Sequence, residues 1–205
     1  MLFCSSKAGA PDESYTMAGT CVWRLSLLLL CAPLAALAQD EAASWYVSPS
    51  LGGITPDKPW GGNGSAALYG LDIGTSFSPG WSAELDLNDA RLTDRVGAGH
   101  SSLSAGALEL LRVFNGGRVF APYLLIGAGV THAAPPPGIG LENRTEFMAQ
   151  PGLGAIITVW QSPRGAGSLA LRPDIKARWT HGWAHAPGNP VDVLYTLGLT
   201  FSFGH

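Results

Sequence analysis

Residues 169–181 read Leu-Ala-Leu-Arg-Pro-Asp-Ile-Lys-Ala-Arg-Trp-Thr-His. Leu169, Leu171, Ile175, Ala177 and Trp179 share one parity, and Arg172, Asp174, Lys176 and Arg178 share the other. Successive side chains of a β-strand point to opposite sides. The stretch therefore reads as a strand with one apolar face and one charged face. The same alternation recurs along the chain. Tyr69, Leu71, Ile73 and Phe77 alternate with Gly70, Asp72, Gly74 and Ser76; Trp81, Ala83, Leu85 and Leu87 alternate with Ser82, Glu84, Asp86 and Asn88. Val193, Tyr195, Leu197, Leu199, Phe201 and Phe203 alternate with Leu194, Thr196, Gly198, Thr200 and Ser202.

A soluble sandwich would alternate in the same way. Three features favour a barrel that crosses a bilayer. Several strands run nine residues or more, the length that spanning strands need. Trp45, Trp81, Phe120, Trp160 and Phe203 fall near expected strand ends, as an interfacial girdle requires. The connections also alternate in length. Eight strands are expected at about 44–53, 66–77, 81–91, 101–114, 119–131, 145–160, 168–181 and 192–203. The connections after the second, fourth and sixth are tight, and those after the first, third, fifth and seventh are longer. Short turns on one side and long loops on the other are the pattern of an outer-membrane barrel. The expected fold is all-β: an eight-stranded antiparallel up-and-down transmembrane barrel.

Composition narrows the alternatives. The 205 residues carry a net charge of −3, and only 13% of them are charged. That balance argues against a nucleic-acid partner. With 46% hydrophobic residues the chain is not disordered by composition.

Residues 1–38 read as an address. Leu25–Ala38 is a short apolar run after Arg24 that ends in Ala36-Leu37-Ala38, an A-x-A cleavage pattern with Ala36 and Ala38 as its small residues. The expectation is an upstream extension plus a cleaved signal peptide over 1–38, with Met17 as initiator, and an outer-membrane barrel domain over 39–205. Cys4, Cys21 and Cys31 all lie in the first part. The barrel then contains no thiol, so disulfides, thiolate metal sites and cysteine nucleophiles are excluded.

The inward parity assigns a lumen network of Asp72, Glu84, Asp86, Glu109, Arg172, Asp174, Lys176 and Arg178, with Gln150 and several glycines beside it. Buried charges of opposite sign must pair. Acids on the second and third strands are expected to meet bases on the seventh, Glu84 and Asp86 lying near Arg172 and Arg178. The fourth strand fits less simply. If Glu109 faces inward, so do Leu103 and Leu111, and a bulge or phase slip is expected there. Pro122, Pro151 and Pro173 each remove a ladder donor inside an expected strand, which calls for a bulge or a strand end.

Trp45-Tyr46-Val47, Ala121-Pro122-Tyr123-Leu124 leading into Gly127-Ala128-Gly129, and the closing Leu197-Gly198-Leu199-Thr200-Phe201-Ser202-Phe203-Gly204 together resemble the OmpA/OprF-type outer-membrane β-barrel family. Thr196, Gly198, Phe201 and Phe203 resemble the family's assembly signal, which the barrel-insertion machinery reads. The resemblance implies a Gram-negative cell outer membrane, contact with outer-membrane lipid and lipopolysaccharide, a monomer, and no cofactor. The peptidoglycan-binding domain of longer members is not expected here.

Other chemistry reads weakly. His181 and His185, with His100 and His132 in or near loops, suggest a loop metal site or simply polar loop residues. In the lipid A deacylase pattern a Ser follows the His by two residues, but residue 183 is Trp. Asn143-Arg144-Thr145 is a formal glycosylation sequon that also reads as plain loop. Gly127-x-Gly129 and Gly152-x-Gly154 lack the third Gly of a nucleotide fingerprint. The basic stripe of Arg172, Lys176 and Arg178 is either an internal ion-pair plug or the lining of a narrow pore. The function expected is a structural or surface-interaction barrel without catalysis. A narrow, porin-like conduit and an outer-membrane acyl hydrolase are the alternatives.

Overall fold

The computed structural model describes residues 44–56, 65–93, 100–116, 118–134, 143–163, 167–181 and 191–203. Eight strands follow in order: β1 (Ser44–Thr55), β2 (Ala66–Ser78), β3 (Trp81–Thr93), β4 (His100–Val113), β5 (Phe120–Ala134), β6 (Arg144–Gln161), β7 (Gly167–His181) and β8 (Val191–Phe203). Each pairs antiparallel with the next, and β8 pairs with β1 to close the barrel. Closure leaves no sheet edge, the condition for backbone to cross hydrocarbon with its hydrogen bonds made.

The register sets the geometry. Hydrogen-bonded partners run from Ser44 through Ser76, Ser82, Leu111, Leu125, Gly152, Lys176 and Leu194 back to β1 at Ile54. The circuit returns ten residues further along β1, from 44 to 54. That stagger tilts the strands by about 35–45° to the barrel axis. An even stagger also keeps inward residues inward across the seam between β8 and β1, because strand parity has period two.

The outer surface is apolar and wears aromatics at both rims. Trp45, Trp81, Phe114, Phe120, Trp160 and Phe203 are exposed around the turn end. Tyr69, Phe147, Trp179 and Tyr195 are exposed toward the loop end. Between them lie Leu71, Ile73, Leu108, Ile126, Leu153, Ile175 and Leu197.

The turns are built from residues that tolerate their backbone. Gly80, after Pro79, sits at φ +75° and closes β2 to β3. Asn115, at φ +56°, opens the β4–β5 turn, where Arg118 N donates to its carbonyl at 3.2 Å. Asparagine is among the few side chains that enter this region readily. The two register shifts lie at Ser76/Ser78 and at Thr158/Trp160, both at the turn end. Bulges are common at barrel rims, where they bend a strand into its turn.

Two expectations are corrected here. β4 carries no bulge: its register runs unbroken against β3 and β5. Glu109, Leu103 and Leu111 all point inward, at 3%, 1% and 1% exposure. The lumen accepts these leucines because apolar neighbours surround each: Leu103 packs with Ile54, Leu68 and Leu194 toward the loop end, and Leu111 with Tyr123 and Leu125 toward the turn end. The prolines are also accommodated differently. Pro122 is the third residue of β5, near a strand end as expected, and its carbonyl accepts Phe114 N at 2.8 Å. Pro151 and Pro173 sit mid-strand without bulges. The β6–β7 ladder is interrupted beside both and resumes in unchanged register, while Pro151 stays paired with Ile126 and Pro173 with Leu197. A proline lacks one N–H, so only the ladder that this donor would serve is weakened.

Candidate functional site: the barrel lumen

The lumen is stacked in three zones. At the turn end a cavity of about 200 Å³ is lined by hydroxyls such as Ser44, Ser82 and Ser202 and by aliphatic side chains such as Leu111, Val113 and Ile156, with Arg172 also in its wall. The middle zone holds the charges. At the loop end Ile54, Leu68, Ala90, Leu92, Leu103 and Leu194 form a buried apolar cluster, with Ala66 and Ala133 packed against it.

The middle zone is a continuous polar network. Arg172 grips Glu84 at two points, Nη1 to Oε2 at 2.7 Å and Nη2 to Oε1 at 2.6 Å. Its Nε reaches Asp174 at 3.2 Å and donates to Tyr123 Oη at 2.7 Å. Asp72 stands 3.8 Å from Nη1. Lys176 lies 3.0 Å from Asp86 and 2.9 Å from Glu109. Arg178 donates to Asn88 Oδ1 at 2.8 Å and Gln150 Oε1 at 3.3 Å. All eight charged residues assigned to the lumen are buried.

Glu84 meets Arg172, and Asp86 lies near Arg178, as expected; the direct partner of Asp86 is nevertheless Lys176, and Arg178 donates its hydrogen bonds to Asn88 and Gln150. The cause is depth. Glu84, Asp86 and Asn88 are successive inward positions of β3, and Arg172, Lys176 and Arg178 climb β7 in the same sense. The strand stagger brings them to similar heights in that order.

Carboxylates outnumber cations in this zone, and neutral donors carry the excess. Tyr46 Oη donates to Glu84 at 2.8 Å. Tyr123 Oη donates to Asp174. Gln150 Nε2 donates to Asp86 at 2.7 Å and to Glu109 at 2.6 Å, and Asn88 Nδ2 donates to Asp86 at 3.1 Å. A buried charge is tolerable only when its remaining lone pairs are also hydrogen-bonded. Arg178 Nη1 and Thr180 Oγ1, toward the loop end, have no partner.

The two tyrosines were not singled out from sequence, although a signal exists. Tyr46 faces Gly74 across β1–β2, and Tyr123 faces Gly154 across β5–β6. A Cβ at Gly74 would run into the Tyr46 ring, and one at Gly154 into the Tyr123 ring and Asp174 Oδ1. A third such pair, Tyr195 on Gly53, lies on the outer face. Aromatic rings laid over cross-strand glycines are a recurrent device in curved sheets. The lumen glycines thus make room for the rings whose hydroxyls join the network.

The remaining candidate residues are placed as follows. Thr196 and Gly198 of β8 face the lumen, Gly198 beneath Ser48 Oγ, and Phe201 and Phe203 face outward beside Val47 and Trp45 of β1. Ser48 and Thr200 share a buried hydrogen bond across this seam at 2.9 Å. Ala36, Ala38 and the whole of 1–38 lie outside the described residues, as does His185. His181 is exposed beside Trp179, ring centroids 5.7 Å apart. His132 Nδ1 and Thr145 Oγ1 share a hydrogen bond at 2.9 Å on the outer face. Among the described residues no group of three His, Cys, Asp or Glu is arranged to hold a metal ion.

Eight tilted strands with an apolar, aromatic-rimmed outside and a charged inside define a transmembrane β-barrel of the outer membrane. The chain belongs to the outer membrane protein beta-barrel domain family, whose model matches residues 25–162, and it is a barrel of the OmpA/OprF type located in the cell outer membrane. It is similar to the N-terminal β-barrel domain of OprF from Pseudomonas aeruginosa at 18% identity, covering 78% of this chain and 97% of that one with a TM-score of 0.50. It is also similar to Neisserial surface protein A at 14% identity, covering 78% of this chain and 98% of that one with a TM-score of 0.60. No curated protein matches its sequence.

Proposed function

We propose that this barrel is a closed scaffold that presents its long loops at the cell surface and neither conducts solutes nor catalyses a reaction. The observation that carries the reading is the filled lumen: an ion-pair network in the middle and an apolar cluster at the loop end. Water and ions passing through would have to separate buried pairs and then cross a leucine-lined constriction. Loops on a fixed scaffold are where recognition resides. Lipopolysaccharide and outer-membrane lipid are the surroundings its rims meet, and the protein acts as a monomer. Export from a Gram-negative cytoplasm by the segment 1–38, and insertion by machinery that reads Thr196, Gly198, Phe201 and Phe203, complete the reading. The test is conductance of the purified protein in a planar bilayer. Near-silent traces are expected, and steady current that scales with salt overturns the proposal.

The porin reading has one observation in its favour, the cavity at the turn end, lined by hydroxyls and aliphatic side chains together, which opens part of the lumen. An acyl-hydrolase reading has less support, because His181 lies on the outer face beside Trp179 with no serine two residues on. Unchanged lipid A acylation in cells that overproduce the protein is the expected result.

A further inference from the structure

Arg112 breaks the pattern of the lipid-facing surface. Among the described strand residues it is the one charged side chain on the outward face in the turn half of the barrel; Asp89 and Arg91 lie in the loop half. No carboxylate among the described residues pairs with it. An unpaired guanidinium against hydrocarbon is costly, so such a group turns toward the nearest interface and seeks an anion there.

Its surroundings hold it in that position. Arg112 is paired with Trp81 across β3–β4, and its guanidinium carbon lies 5.1 Å from the Trp81 ring and 6.0 Å from the Phe114 ring. Nη1 donates to the carbonyl of Pro79 in the β2–β3 turn at 3.2 Å. The side chain is thus directed toward the turn end and steadied by two exposed aromatics of the rim. A guanidinium has five N–H donors and this contact uses one. The others are available in a fork that matches two oxygens of a phosphate. Beside it stands Leu124, its partner on β5, and toward the bilayer interior Leu110 and its own partner Ile126 continue an exposed apolar track.

We propose that Arg112, Trp81 and Phe114 form a binding site for the phosphodiester headgroup of one glycerophospholipid of the periplasmic leaflet, with an acyl chain lying over Leu110 and Leu124. This rests on the outer-membrane reading with the short turns on the periplasmic side. The site orients the barrel: a fixed phosphate contact at one rim sets the depth at which the turn end sits. The contact with Pro79 alone would make Arg112 only a brace between β4 and the β2–β3 turn, and the experiment separates the two roles.

The test is native mass spectrometry of the detergent-solubilised barrel, titrated with dimyristoylphosphatidylglycerol. Wild type is expected to retain one lipid molecule, Arg112→Gln to bind it roughly ten-fold more weakly, and Trp81→Leu roughly three-fold more weakly. Arg91→Gln should bind as wild type does. Dimyristoylglycerol, which lacks the phosphate, should bind no better to wild type than to Arg112→Gln. Glycerophosphate, which lacks the chains, should not displace the lipid. Equal lipid retention by wild type and Arg112→Gln overturns the site and leaves the brace. Displacement by glycerophosphate overturns the lipid as its ligand in favour of free phosphate. Folding of each variant is checked by heat-modifiable gel migration. If Arg112→Gln fails to fold, Trp81→Leu keeps the charge and decides, unchanged affinity overturning the site. The orientation is tested separately by labelling Asn115→Cys on intact cells, where reaction with an impermeant thiol reagent would overturn the topology and not the phosphate contact.

Discussion

Arg172 of β7 and Glu84 of β3 are bound at two points across the barrel lumen, Nη2 to Oε1 at 2.6 Å and Nη1 to Oε2 at 2.7 Å, with both side chains buried. The strands are not neighbours in the sheet, so this pair ties together walls that backbone hydrogen bonds do not connect. Tyr46 and Tyr123 brace it from β1 and β5. One guanidinium thereby joins the barrel across its width.

Breaking that pair on one side should be costly. Glu84→Ala leaves Arg172 without its main counter-ion, and losing one partner of a buried pair typically costs about 3–5 kcal/mol. Urea titration of the folded barrel in lipid vesicles should show that loss. The Glu84→Ala, Arg172→Ala double variant should lose less than the sum of the singles. Additive losses would mean that the two residues act independently.

On the lipid face the expected cost has a different origin. Leu197 points outward, 56% exposed, between the two aromatic rims. Leu197→Arg should destabilise the inserted barrel by about 2–4 kcal/mol if it lies near the midplane. Thr200→Arg, on the buried lumen side of the same strand, should instead crowd Ser48 and the seam. A Leu197→Arg barrel as stable as wild type would place β8 one residue out of register.

The tyrosine–glycine pairs make a packing prediction. Gly154→Val should displace the Tyr123 ring and loosen its hydrogen bonds with Arg172 and Asp174. Overpacking of this kind costs roughly 1–3 kcal/mol. Gly116, where an added Cβ meets nothing within 4 Å, serves as the control for a Gly→Val change. Equal melting temperatures for the two variants would contradict the packing argument.

Topology can be read with thiol chemistry, since all three cysteines lie at or before residue 31. Cysteine placed at the exposed Ser65 should react with an impermeant reagent on intact cells. The same change at Asn115 should react only after the outer membrane is opened. The reverse pattern would invert the barrel.

The strands could be read from sequence because period-two alternation is a local property. Each outward residue meets the same apolar solvent and each inward residue the same crowded lumen, so Tyr69–Phe77 or Leu169–His181 carries its own assignment. The expected bounds lie within about three residues of the strands formed, the uncertainty usual at element ends. Parity likewise put Glu109 inward, although Leu103 and Leu111 beside it made a bulge plausible.

What alternation cannot encode is height. Which β3 acid meets which β7 base depends on the ten-residue stagger around the closed sheet, a sum over eight registers that exists only when β8 meets β1. That is why Asp86 met Lys176 and left Arg178 to Asn88 and Gln150. The apolar cluster of Ile54, Leu68, Leu103 and Leu194 has the same origin: four inward residues distant in sequence become one constriction only at a shared depth. The alternating chain by itself determined the strands, their faces and the membrane they suit, because those depend on neighbours two residues apart. Closure and tilt alone decided the partners in the lumen and the filling of its outer end, because those depend on where each strand stands along the barrel axis.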